Sequence, residues 1–146
     1  MKTLIKIIVP IMLFTCGCSK KNNVSHSNVI QVSSTSYDYD IVKDKMITWN
    51  DLLSQELERY DVYIYSTTCL HCLEIKQEII ECSLNRDDFF FIEYNKSIPV
   101  SDDVSETVGE DDLDKITILG TPALLIVENG ILVVNVSGPK AILQAL

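Results

Sequence analysis

Two cysteines three positions apart, following a strand-like run, restrict this chain more than any other feature. The stretch VYIYSTTCLHCLEIKQEII, Val62 to Ile80, sets Cys69 and Cys72 between a β-branched and aromatic segment and a segment of helical period. DVYIYS reads as a strand. In CLEIKQEIIECSL, the residues Cys72, Ile75, Ile79 and Cys82 recur at i, i+3, i+7 and i+10, the spacing of one helix face. The pair could be a redox couple, half of a metal site or two buried thiols. A tetrahedral zinc site wants four ligands, and beyond Cys69, Cys72 and His71 the chain offers only the distant Cys82 or His26. Covalent haem attachment needs a histidine directly after the second cysteine, and Leu73 stands there. No metal and no organic cofactor is expected.

The ends of the chain bear on the compartment. Lys2 and Lys6, the apolar run from Ile7 to Phe14 and the polar TCGCSKKNN after it form a secretory signal, too short to span a bilayer core of roughly 20 apolar residues. TCGCSKK resembles a bacterial lipoprotein signal. That resemblance implies cleavage after residue 17, acylation of Cys18 and anchoring by two acyl chains on the outer face of a bacterial membrane. Cleavage would remove two lysines and take the formal charge from −9 to −11. So acidic a chain is a poor partner for nucleic acid, whose phosphates need clustered Lys and Arg. Residues 18–44, Ser-, Asn- and Tyr-rich and without a sustained apolar period, are expected to be a flexible tether.

The domain is expected over residues 45–146. ITWNDLLSQELERY opens as a helix, with Thr48 and Asp51 in a capping-box pattern and Leu52, Leu53 and Leu57 as its apolar face. DFFFIEYN is a near-continuous apolar strand of the kind buried among parallel neighbours. Glu128-Asn129-Gly130 marks a hairpin between two further strands, because Asn-Gly tolerates positive φ. A short helix opening at Pro139 closes the chain. The acidic run SDDVSETVGEDDLD, Ser101 to Asp114, lacks calcium-loop spacing and reads as a solvated segment. Cys82, on the apolar face with Ile75 and Ile79, is expected in the core.

This order of elements, with Cys69-Leu70-His71-Cys72 between strand and helix and Gly120-Thr121-Pro122 about 50 residues later, resembles the thioredoxin fold. The resemblance covers about 100 residues, Lys45 to Leu146, and implies an α/β domain with a central mixed sheet flanked by helices. It implies that Cys69 is the nucleophile at a helix N-terminus and Cys72 the resolving thiol. It implies that His71 tunes the pair and that Leu70 contributes an apolar rim. Thr121-Pro122 is expected to be a cis-proline loop that offers backbone groups to a substrate strand. The sequence departs from the family in three respects: Tyr63 stands where a buried carboxylate is usual, Thr68 stands where an aromatic commonly precedes the first cysteine, and the last helix is expected to be short.

The function expected is a membrane-tethered, extracytoplasmic thiol–disulfide oxidoreductase. Its partners would be protein or peptide thiols and disulfides, together with a membrane protein that recycles the pair. The alternative is a thioredoxin-like binding lipoprotein, resembling bacteriocin-transport accessory proteins, in which the cysteines matter little.

Overall fold

The computed structural model describes residues 37–146. The signal at 1–17, the lipidation site Cys18 and the tether as far as residue 36 lie outside the described residues. Within the described part the order is a 3-10 segment at Tyr39–Lys45, a 3-10 turn at Trp49–Asp51, β1 (Arg59–Tyr65), α1 (Leu70–Ser83), β2 (Phe89–Glu93), two 3-10 turns at Ser105–Thr107 and Leu113–Lys115, β3 (Ala123–Glu128), β4 (Ile131–Ser137) and α2 (Pro139–Ala145). The sheet order is β2-β1-β3-β4, with β1 parallel to β2 and antiparallel to β3, and β3 antiparallel to β4. A βαβ unit followed by a hairpin and a closing helix on such a mixed sheet is the thioredoxin fold.

Alternation along the strands builds two cores. Tyr60, Val62 and Ile64 of β1 face one, with Ile92, Ala123, Leu125, Val127 and Leu132. Tyr63 and Tyr65 face the other, with Phe89, Phe91 and Leu124. The period of two in a strand makes this division automatic. Helices α1 and α2 cover the second core through Ile75, Ile79, Ile80 and Ile142. The first core is covered without an α-helix: Trp49, Leu52, Ile98, Ile116 and Ile118 come from turns and irregular segments. At Asn129 and Gly130 the hairpin has φ of 52° and 77°, the conformation expected for Asn-Gly. Pro139 stands in the first turn of α2, where a missing N–H costs nothing.

Three expectations change. The helix expected from Thr48 stops after one 3-10 turn. The Asp51 carboxylate does accept from the Thr48 N–H and hydroxyl, at 3.0 and 2.6 Å. The carbonyls that would extend the helix go elsewhere, however. Asp51 O accepts from the Ser54 N–H and the Gln55 side-chain amide, and Leu52 O accepts from the Tyr60 hydroxyl at 2.8 Å. Side-chain hydrogen bonds of this kind compete with the helix ladder. Leu57, expected on the apolar face, is exposed.

The end of the stretch read as tether is ordered. Tyr39 and Val42 are buried, Tyr39 stacks on Tyr65 with ring centroids 3.5 Å apart, and the Ile47 N–H bonds Phe91 O at the outer edge of β2. Tyr39 and Val42 give this short segment an apolar anchor, and the unpaired edge of β2 gives it a backbone partner.

Cys82 is half-buried rather than in the core. At 3.6 residues per turn the position three turns beyond Cys72 is Ser83, and Cys82 is rotated about 80° from Cys72 to the other side. Ser83 takes the buried place and donates its hydroxyl to Ile80 O at 2.8 Å.

Candidate functional site

The site forms where β1 ends. Pairing of Ile64 with Ala123 places the residue before β3 beside the last residues of β1, so Thr121-Pro122 meets the CxxC across 52 positions of sequence. The Thr121–Pro122 bond is cis. Gly120, just before it, has a φ of 138°, which only glycine adopts without strain.

Cys69 is the N-cap of α1, in extended conformation, with its sulfur accepting from the Cys72 N–H at 3.3 Å. In the thiol form the same sulfur donates to the Thr121 carbonyl at 3.2 Å. Cys72, one turn inside the helix, is wholly buried, and its sulfur accepts from the Ser66 N–H at 3.5 Å. The structure holds both as free thiols.

These surroundings separate the two acidities. For Cys69, partial burial opposes the charged form. Hydrogen bonding from Cys72 and Thr121, and the backbone N–H groups of Cys72 and His71, outweigh it and hold the thiol below its ordinary value. For Cys72, burial comes first and the neighbouring Cys69 adds to it, and the thiol is pushed up to about 11. At neutral pH one sulfur is thus poised to attack while the other keeps its proton. Brief alkylation of the reduced, folded protein near pH 7 is expected to modify Cys69 well ahead of Cys72. Peptide mass mapping showing Cys72 labelled first would contradict this geometry.

The remaining residues singled out in the sequence divide. Leu70, next to Cys69 in the chain, is 80 % exposed, and Leu73 and Leu119 are exposed as well. The His71 ring lies outward with its Nδ1 3.4 Å from Glu74 Oε2, both side chains largely exposed. What His71 gives Cys69 is its backbone N–H rather than its ring. Tyr63 is wholly buried beneath the pair.

Sequence reasoning missed two contributors. The Ser66 N–H is a backbone group, invisible to residue type. Tyr39 sat in a stretch without helical or strand period, and its only signal was the run Tyr37, Tyr39, Val42 immediately before the domain.

No family model matches the sequence, and neither does any curated protein. Among solved structures the chain is similar to a Plasmodium falciparum thioredoxin, with 23% identity over 69% of this chain and 94% of that one and a TM-score of 0.44. It is also similar to the short form of spinach chloroplast thioredoxin f, with 14% identity over 69% and 89% and a TM-score of 0.46. A third is thioredoxin f2 of Chlamydomonas reinhardtii, with 17% identity over 68% and 88% and a TM-score of 0.43. The fold rests on the strand order and connections within this chain.

Proposed function

We propose that this chain is a thiol–disulfide oxidoreductase acting on protein or peptide substrates, held on the extracytoplasmic face of a bacterial membrane by a lipid on Cys18. The observation that carries the chemistry is Cys69: a half-exposed sulfur at a helix start, bonded by the Cys72 N–H and facing the carbonyl before a cis-proline. The lipoprotein-like TCGCSKK carries the location. A compartment outside the cytosol is where substrate disulfides form and persist.

In this reading the Cys69 thiolate attacks a substrate disulfide, one substrate sulfur leaves with the bonding electrons, and a mixed disulfide forms. The Cys72 sulfur then attacks Cys69, releasing the second substrate sulfur and closing the Cys69–Cys72 bond. Run in reverse, the Cys69–Cys72 disulfide oxidises a substrate dithiol. The exposed Leu70 next to Cys69 suits an extended segment with apolar side chains, aligned along Thr121 as an added strand.

Equilibration of the pair against glutathione tests the reading. Stabilising the Cys69 thiolate stabilises the reduced form, so the expected potential lies toward about −180 mV, with isomerases and oxidants, rather than about −270 mV. A pair that never closes to a disulfide under any glutathione poise would leave only a binding module.

A further inference from the structure

Two leucines interrupt the polar outer face of α1. Leu70 and Leu73 stand three apart in its first turns, where side chains at i and i+3 are surface neighbours. The other exposed positions of the helix are His71, Glu74, Gln77, Glu78 and Glu81. Leu73 also borders a cleft of about 240 Å³, whose remaining lining is Tyr37, Lys76 and Gln77. Tyr37 comes from the segment before the domain. It packs on the second core, and two residues on, Tyr39 fastens the segment by stacking on Tyr65. The Lys76 ammonium is drawn to the same segment, 3.3 Å from Asp38 and 5.3 Å from the centre of the Tyr39 ring. We propose that this cleft is a substrate subsite, which takes one uncharged apolar side chain about two to four residues from the substrate cysteine that bonds Cys69.

The inference rests on disulfide exchange at Cys69, because that reaction fixes where a substrate lies. A polypeptide joined to the Cys69 sulfur has its neighbouring residues held beside α1 by that bond. Their effective concentration at the cleft is therefore high, whatever their own affinity. Cys69 caps the helix, and its carbonyl accepts from the Leu73 N–H at 3.1 Å. At 1.5 Å per residue, Leu73 and Gln77 stand about 6 and 12 Å along the axis from Cys69. An extended chain covers that span in about two to four residues of roughly 3.3 Å each.

Size and charge set the class of occupant. Clefts that hold a drug-sized ligand run to about 300–1,000 Å³, and this smaller one suits a single side chain. The Lys76 charge is already paired, so an acidic side chain would meet Asp38 with no free cation in the lining. A basic side chain would crowd the Lys76 ammonium. A leucine or phenylalanine meets neither penalty and gains by covering Leu73 and Tyr37.

The test uses the full chain with Cys16, Cys18 and Cys82 replaced by serine, so that only the pair reacts. The probes are glycine–serine peptides with one cysteine blocked by an aromatic thiol and a single leucine moved along either side of it. The Cys69 thiolate attacks the peptide sulfur, the coloured aromatic thiolate leaves with the electron pair, and a peptide–Cys69 disulfide forms. Leucine two to four residues from the cysteine, on one side only, is expected to raise the second-order rate about tenfold over the peptide without it. Glutamate or lysine in its place should give no gain. The ratio should fall to about one in Tyr37→Ser and in Leu73→Ser, return in Tyr37→Phe and Leu73→Met, and persist in Glu78→Gln on the polar flank. No gain at any position, a gain that survives both serine variants, or an equal gain from a charged side chain would overturn the subsite and leave disulfide exchange standing. If no probe releases thiolate, a free aromatic disulfide included, exchange at Cys69 is overturned and the subsite falls with it.

Discussion

Replacing Cys69 with serine is expected to reduce thiol–disulfide exchange to the level of buffer alone, whereas Cys72→Ser should leave the first attack intact and trap mixed disulfides. The asymmetry follows from the two environments. Cys69 is half-exposed and stabilised as a thiolate by N–H groups at the start of α1. Serine cannot replace it, because its hydroxyl stays protonated there and is no disulfide partner. Cys72 is wholly buried on the inner face of α1, and in the proposed reaction it acts only on a Cys69 already modified. Its serine variant should therefore accumulate partner proteins on Cys69, separable on a non-reducing gel and released by dithiothreitol. Trapping from the native cell identifies substrates directly. Equal loss of attack in both variants would contradict this division of roles.

The second large effect concerns stability at the opposite end of β1. Asp61 is 5 % exposed at a strand position, and Arg86, after α1, reaches it at 2.7 Å while also gripping Asp88 with two bonds of 3.0 Å. Arg86→Met leaves Asp61 buried without its partner, a change that costs about 3–5 kcal/mol in comparable pairs. Burial already raises the Asp61 carboxyl above its ordinary value, and the Arg86 charge pulls it back. Without the guanidinium the folded value rises further. The folded variant then holds a proton that the unfolded chain has released, so its stability falls as pH rises from the unfolded value through the raised folded one. Urea unfolding should thus show the full loss at neutral pH and a smaller one in acid. Adding Asp61→Leu to Arg86→Met should recover much of it, since an apolar pair of similar size carries no desolvation cost. A constant loss across pH would mean that Arg86 matters through packing on Phe89, 5.2 Å from its ring, rather than through charge.

Much of the fold could be read from the chain because local pattern and tertiary role agree there. The run DVYIY falls within β1, Arg59–Tyr65, FFFIE forms a parallel strand, and Asn129-Gly130 makes its turn. At Thr48 the local signal was equally clear and the outcome different. Capping residues start a helix, but whether it continues depends on who claims the next carbonyls, and Tyr60 claims one from β1. Cys82 shows the same limit on a finer scale, since one residue in helical phase separates a buried face from its flank.

The candidate site divides along similar lines. Residue type and spacing alone determined that Cys69 and Cys72 meet at a strand–helix junction, because a cysteine pair three apart at a helix start brings its two sulfurs together locally. Composition also determined the acidic character of the chain. Only the tertiary structure decided what surrounds the sulfurs. The register of β1 with β3 brings Thr121 to Cys69, and the docking of residues 39–47 along β2 brings Tyr39 to Tyr63. The His71 ring turns outward to Glu74. These are long-range placements, fixed by which strand edges pair and which apolar faces close, and no local pattern encodes them.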